Sequence, residues 1–137
     1  VGQPQAPAEL AQVHSRAAAT DPDVQGSALS GELPEAQLER LLTAGQPTLA
    51  FFHSNNCVQC IKMMEVVEQV HPEFDSSVAL VDVDVYDKAN SRLLQRAQIR
   101  AIPTQIFFDR TGQGKMIMGA MTPDQFREQM RTLAGGQ

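Results

Sequence analysis

The two cysteines of the chain, Cys57 and Cys60, enclose only Val58 and Gln59, and they sit where one kind of structure gives way to another. The run before them, Thr48-Leu49-Ala50-Phe51-Phe52-His53, is apolar enough to be a buried strand. The run after them, Ile61-Lys62-Met63-Met64-Glu65-Val66-Val67, opens a helix. A C-x-x-C at such a junction lets the two sulfurs close a small ring. It also places Cys57 at a helix N-terminus, whose partial positive charge favours a thiolate. Two cysteines cannot staple a disulfide framework, so the pair suits redox catalysis better than scaffolding.

At 137 residues, with 42% apolar and 20% charged residues, the chain reads as one globular domain with a proper core. Its net charge of −5 leaves nothing to neutralise phosphates and argues against nucleic acid as a partner. No stretch reaches the roughly 18 to 20 apolar residues of a membrane span, and no signal peptide is read. The chain starts at Val1 rather than Met, so the expectation is a leading segment either removed or left out, with room for a lipid or membrane anchor ahead of Val1.

Residues 1–31 read as a flexible or partly helical extension, and residues 32–137 as the domain. Val1 to Pro7 is a Pro/Gln/Gly linker. Ala8 to Ala19 has a helical pattern whose apolar face is mostly alanine. A short first strand is placed near Val24 to Leu29. From Pro34 the pattern turns regular. Pro34 and Gly45 bracket a helix carrying Leu38, Leu41 and Leu42. The strand Thr48 to His53 follows, then the cysteine-bearing helix, which Pro72 stops near His71. Val78 to Val85 reads as a strand inside the sheet, and Asn90 to Gln98 as a short helix. Thr104 to Phe108 and Lys115 to Gly119 form a hairpin around Asp109-Arg110-Thr111-Gly112. Thr122-Pro123-Asp124-Gln125 combines an N-cap, a proline at N1 and a capping-box glutamine, and starts a last helix ending at Gly135-Gly136. The order is that of an α/β layered domain with an antiparallel hairpin at one end of its sheet.

This order resembles the thioredoxin superfamily over about residues 32–135, and two motifs carry the resemblance. One is the strand, C-x-x-C and helix at Cys57 to Cys60. The other is Ile99-Arg100-Ala101-Ile102-Pro103-Thr104, just before the hairpin. The resemblance implies a thioredoxin-like fold: a central mixed sheet, helices on both faces, and a C-terminal β-hairpin plus helix. It also implies that Pro103 follows a cis bond and faces the dithiol. Ile102 and Thr104 would then offer backbone to an extended substrate strand. The activity implied is thiol-disulfide exchange with protein dithiols and disulfides, carried by the cysteines themselves without a cofactor. Val58-Gln59, and Ile106-Phe107-Phe108-Asp109 followed by Gly112-Gln113, look most like extracytoplasmic reductases such as the C-terminal domain of DsbD-type transporters. With the missing initiator Met and the Pro/Ala-rich leading segment, that likeness points to a periplasmic or otherwise extracytoplasmic location and to electron transfer from a membrane donor; the chain is expected to act as a monomer. The family often has Trp where this chain has Asn56, and Gly-Pro where it has Val58-Gln59. Many members bury an Asp, the proton acceptor of the second thiol, where this chain has Phe51.

On this reading Cys57 attacks a partner disulfide and Cys60, one turn deeper, resolves the mixed disulfide. The absence of a histidine between the cysteines leans toward the reducing direction. His53 has two functional readings: as His⁺ it stabilises the Cys57 thiolate, and as neutral imidazole it takes the Cys60 proton in place of the missing Asp. The plainer reading is a strand-end histidine with no role. Lys62, Glu65 and Glu68 fit a solvated helix face. Three other functions compete. A closed zinc site needs four ligands, and beyond the cysteines only His14, His53 and His71 are at hand, widely spread. Copper(I) handling draws on Met63, Met64, Met116, Met118 and Met121, soft donors that equally fill core gaps; the Met116/Met118 alternation fits a strand with one face covered. A redox-inactive binding module keeps the fold without the chemistry.

Overall fold

The computed structural model describes residues 32–135. The expected helix over 8–19 and strand near 24–29 lie outside these residues. Pro34 opens helix α1 (Pro34–Thr43), and Gly45 closes it at φ +72°. There the Gly45 and Gln46 N–H groups donate to Leu42 and Leu41 carbonyls at 3.0 Å each. That double bond is a Schellman closure, and it needs the left-handed backbone that glycine adopts without penalty. Strand β1 (Thr48–His53) is buried along its whole length. Helix α2 (Val58–Val70) begins at its N-cap, Cys57. It ends at Val70 with His71 as its C-cap, where the sequence placed its end, and the chain tightens into a 3₁₀ turn, His71–Phe74, whose first turn accepts Pro72.

Strand β2 (Ala79–Asp84) is followed by a 3₁₀ turn at Lys88–Asn90 and helix α3 (Ser91–Ala97). Strands β3 (Thr104–Phe108) and β4 (Gly114–Met118) form the hairpin. Helix α4 (Pro123–Ala134) carries the capping box read from the sequence, with Thr122 and Gln125 bonding each other's backbone.

The sheet order is β2-β1-β3-β4. β1 runs parallel to β2 and antiparallel to β3, and β3 antiparallel to β4. Alternation along the strands divides the core between the two faces. Leu49, Phe51 and Phe107 pack with Met63, Val67 and Val70 of α2 and with Phe126 and Met130 of α4. Ala50, Phe52, Val81, Val83 and Ile106 pack with Leu38 of α1 and Leu93 of α3 on the other face. The expected mixed sheet with helices on both faces and a closing hairpin and helix is therefore what forms.

Among the described residues β2 pairs with β1 alone, and the strand expected near 24–29 lies outside them. Val81 and Val83 are buried on one face, while on the other Leu80 packs against the core and Asp82 reaches solvent at the rim. One local expectation needs correction. On β4 the covered residue is Ile117, and Met116 and Met118 point outward at 41% and 59% exposure. Register decides this. Ile117 stands opposite buried Gln105, which places it on the face that α2 and α4 cover.

Candidate active site

The right-handed start of α2 requires an N-cap whose side chain can accept from the free N–H groups of the first turn. Cys57 fills that role. Its backbone is extended, at φ −107° and ψ 120°, and its Sγ accepts from the Cys60 N–H at 3.2 Å. Ser54 steadies the approach, its Oγ accepting from the Asn56 N–H at 3.1 Å. Cys57 is partly exposed and Cys60 buried, and both are free thiols. Cys60 shares the buried face of α2 with Met63, Val67 and Val70, so its sulfur is directed toward the sheet. Burial, first, and the neighbouring Cys57, second, push the Cys60 thiol up from 9.0 to about 11, against a backbone hydrogen bond from Ser54 that lowers it.

That displacement makes the reduced protein's stability depend on pH. The folded state holds the Cys60 proton more tightly than the unfolded chain does. The contribution is therefore complete below about pH 9 and is lost as pH rises toward about 11, amounting to roughly 2–3 kcal/mol. Urea titrations of the reduced and oxidised protein across this interval test it. The reduced form should show the extra decline and the oxidised form, which has no thiol there, should not. Parallel curves would mean that Cys60 is not buried as a thiol.

The remaining candidate residues come to the same end of the sheet. His53 is the last residue of β1, and Thr104, opposite Phe52 in antiparallel register, is the first of β3. The Ile102–Pro103 peptide bond just ahead of Thr104 is cis. Pro103 is buried, its carbonyl accepts from the Gly119 N–H at 2.7 Å, and the Thr104 hydroxyl donates to the Ala101 carbonyl at 2.7 Å. Gly119, at φ +98°, thus ties the end of the hairpin back to the proline loop. Lys62, Glu65 and Glu68 lie on the exposed side of α2.

His53 is 5% exposed, its ring stacks on Phe51 with centroids 4.6 Å apart, and its Nε2 meets Asp82 Oδ1 at 2.6 Å. Asp82 and Gln105, fully buried opposite Phe51, are residues that sequence reasoning did not single out. Each left a trace in the sequence. Asp82 interrupts an apolar run at the period of a one-sided strand, and Gln105 is a lone amide inside Thr104-Gln105-Ile106-Phe107-Phe108.

The metal readings meet a different geometry. Among the described residues no three His, Cys, Asp or Glu side chains converge, and His71 is turned to the Val78 carbonyl, 2.8 Å away. Met63 and Met121 sit in the core cluster beneath α2, and Met64 packs against it.

Comparison with known proteins fits this architecture. The family described as thioredoxin-like domain matches residues 26–134. The chain belongs to that family. No curated protein sequence matches it. Among solved structures, chloroplastic thioredoxin z is 23% identical with a TM-score of 0.63, over 73% of this chain and 89% of that one. A thioredoxin from Trypanosoma brucei brucei is 24% identical with a TM-score of 0.61, over 72% and 84%. MTB dsbF, solved in mixed oxidized and reduced forms, is 20% identical with a TM-score of 0.59, over 69% and 84%. These likenesses show a shared fold. Within the thioredoxin-like fold, the pair Cys57 and Cys60 occupies a helix N-terminus with one sulfur accessible and one enclosed, which suits attack by the first and resolution by the second. No described helix is long and apolar enough to cross a membrane.

Proposed function

We propose that this protein reduces disulfides of protein partners outside the cytoplasm, acting as a monomer recharged by a membrane electron donor. The observation that carries the chemistry is the division of labour at α2: Cys57 accessible at the N-cap, Cys60 fully buried one turn behind. Cys57, as the thiolate, attacks one sulfur of the partner disulfide and the other leaves as a thiolate. Cys60 then attacks the Cys57 sulfur of the mixed disulfide, releasing the second partner thiolate and closing the Cys57–Cys60 bond. Two electrons pass to the partner, and its two thiolates take up one proton given up by Cys60 and one from solvent, which had received the Cys57 proton.

A protein partner is supported by the apolar side chains around the site. Val58 and Ile61 on α2 are 68% and 44% exposed, and Tyr86, just past the end of β2, is 72% exposed. Because β1 and β2 are parallel, Tyr86 and His53 lie toward the same end of the sheet. A shallow groove of about 220 Å³ runs there between Tyr86, Leu94 and Ile102. An extended chain laid along it would pass the Pro103 loop. The reducing direction rests on Val58-Gln59, which puts no imidazole between the cysteines. The extracytoplasmic setting rests on the likeness of the same dipeptide, and of Ile106 to Gln113, to extracytoplasmic reductases.

Equilibration of the Cys57–Cys60 pair in glutathione or dithiothreitol buffers tests the reading. A potential near or below about −220 mV is expected. A value between about −180 and −120 mV would reverse the direction of electron flow. A pair that forms no reversible disulfide would overturn exchange altogether.

A further inference from the structure

Resolution of a mixed disulfide needs Cys60 as a thiolate, so a neighbouring group has to take its proton. Phe51 occupies the place from which many relatives present a carboxyl group. Its ring is buried against Met63 and Leu49. A sulfur enclosed in this way keeps its proton at neutral pH unless a neighbouring group removes it.

Three polar side chains share the covered face of the sheet with Cys60. The first is His53, on the same side of β1 as Phe51 and adjacent in sequence to Ser54, whose backbone bonds Cys60. The second is Asp82, opposite Phe51 on β2 and bonded to His53 Nε2. A carboxylate oxygen only accepts, so this contact holds the imidazole hydrogen on Nε2 and leaves the lone pair on Nδ1. Nδ1 is the buried nitrogen, and it has no hydrogen-bond partner among the described residues. The third is Gln105, opposite Phe51 on β3 and therefore diagonal to His53, within reach of a long side chain. Both of its amide atoms are buried and unpartnered as well. A native core rarely leaves an imidazole nitrogen and a whole carboxamide unspent on one face, and where it does, catalysis is a standing explanation.

We propose that His53, oriented by Asp82, is the base that accepts the Cys60 proton when the mixed disulfide is resolved. This rests on the exchange reading above. The proton leaves Cys60 Sγ and arrives at His53 Nδ1, making an imidazolium paired with the Asp82 carboxylate. The Cys60 thiolate attacks the Cys57 sulfur, the Cys57–partner bond breaks, and the partner leaves as a thiolate that takes a proton from solvent. His53 returns to neutrality by releasing its proton past Asp82, which at 57% side-chain exposure reaches water. The arrangement is that of a base held by a carboxylate, used here to activate the resolving thiol instead of the attacking one. The titratable groups on the elements packed around His53 are Asp82 and Asp84 from β2 and Cys57 and Cys60 at the start of α2; β3 contributes only the neutral Gln105.

Reaction of the reduced protein with 5,5′-dithiobis(2-nitrobenzoate) separates the two steps. Attack by Cys57 releases one thionitrobenzoate, and resolution by Cys60 releases a second. In stopped flow, His53→Ala and Asp82→Asn should leave the first release within about two-fold of wild type and slow the second about 100-fold at pH 7. The pH profile of the second release should move to alkaline pH, following the unaided Cys60 thiol. A second release with wild-type rate and profile in both His53→Ala and Asp82→Asn would overturn the proposal, and so would equal slowing of both releases. Should His53→Ala fail to fold, Asp82→Asn at the half-exposed carboxylate decides alone by the same two readouts. Wild-type protein that releases no second equivalent would instead refute the exchange reading itself.

Discussion

A Cys57→Ser variant is expected to reduce protein disulfides at least about 10³-fold more slowly than wild type, because a hydroxyl in that position has neither the acidity nor the nucleophilicity of the thiol. Cys60→Ala is expected to behave differently. It still attacks, then stops with the partner held on Cys57, because the buried sulfur that would displace it is gone. The difference follows from accessibility: Cys57 is partly open at the N-cap and Cys60 is enclosed. Turbidity from reduced insulin measures the first loss, and intact-mass spectrometry counts the adduct in the second. The two variants must fail at different stages for the scheme to stand. Full turnover by Cys57→Ser would remove its nucleophile. A Cys60→Ala protein that turns over without accumulating adduct would remove its resolving step.

Much of the fold could be read locally because its signals are local. Pro34 with Gly45, the Thr122–Gln125 capping box and the turn at Asp109 each act within one helical turn or one hairpin, and each appears where the sequence placed it. The dithiol's position at the head of α2 follows in the same way from a buried strand meeting a helix. What could not be read was set by register between distant segments. His53 and Asp82 are 29 residues apart, and only the parallel pairing of β1 with β2 brings them to 2.6 Å. Gln105 is polar in sequence and buried in fact because β3 lies between β1 and β4. Met116 and Met118 turn outward because Ile117, one residue off, takes the covered side. A shift of one residue in any of these pairings would exchange the inward and outward sets.

Phe51→Asp, which places a carboxyl where many thioredoxin-like proteins bury one, is expected to destabilise this protein by at least about 4 kcal/mol. Removing a fully buried Phe ring costs roughly 3–5 kcal/mol through lost transfer energy and the cavity left behind. Phe51 is 1% exposed and packs among Leu49, Met63 and the ring of His53, so little collapse can refill the space. The introduced carboxyl would also stand opposite Asp82 in register, where a second negative charge is repelled. Burial and that repulsion both favour its protonated form, so the folded state would bind a proton that the unfolded chain gives up. The deficit should therefore shrink as pH falls from 7 toward 5. Urea unfolding of reduced wild-type and variant protein at both pH values measures it. A loss under about 1 kcal/mol would mean that the cluster beneath α2 has room for a carboxyl, and that the Phe51 ring is not what keeps one out. The expected large loss would mean that packing and acid–base chemistry have been rearranged together. With a ring filling the interior, the carboxylate can be held only at the rim, as Asp82, where it is half in water. A proton then needs an intermediary between that rim and the enclosed sulfur of Cys60, and the imidazole stacked on Phe51 is the group placed to provide it.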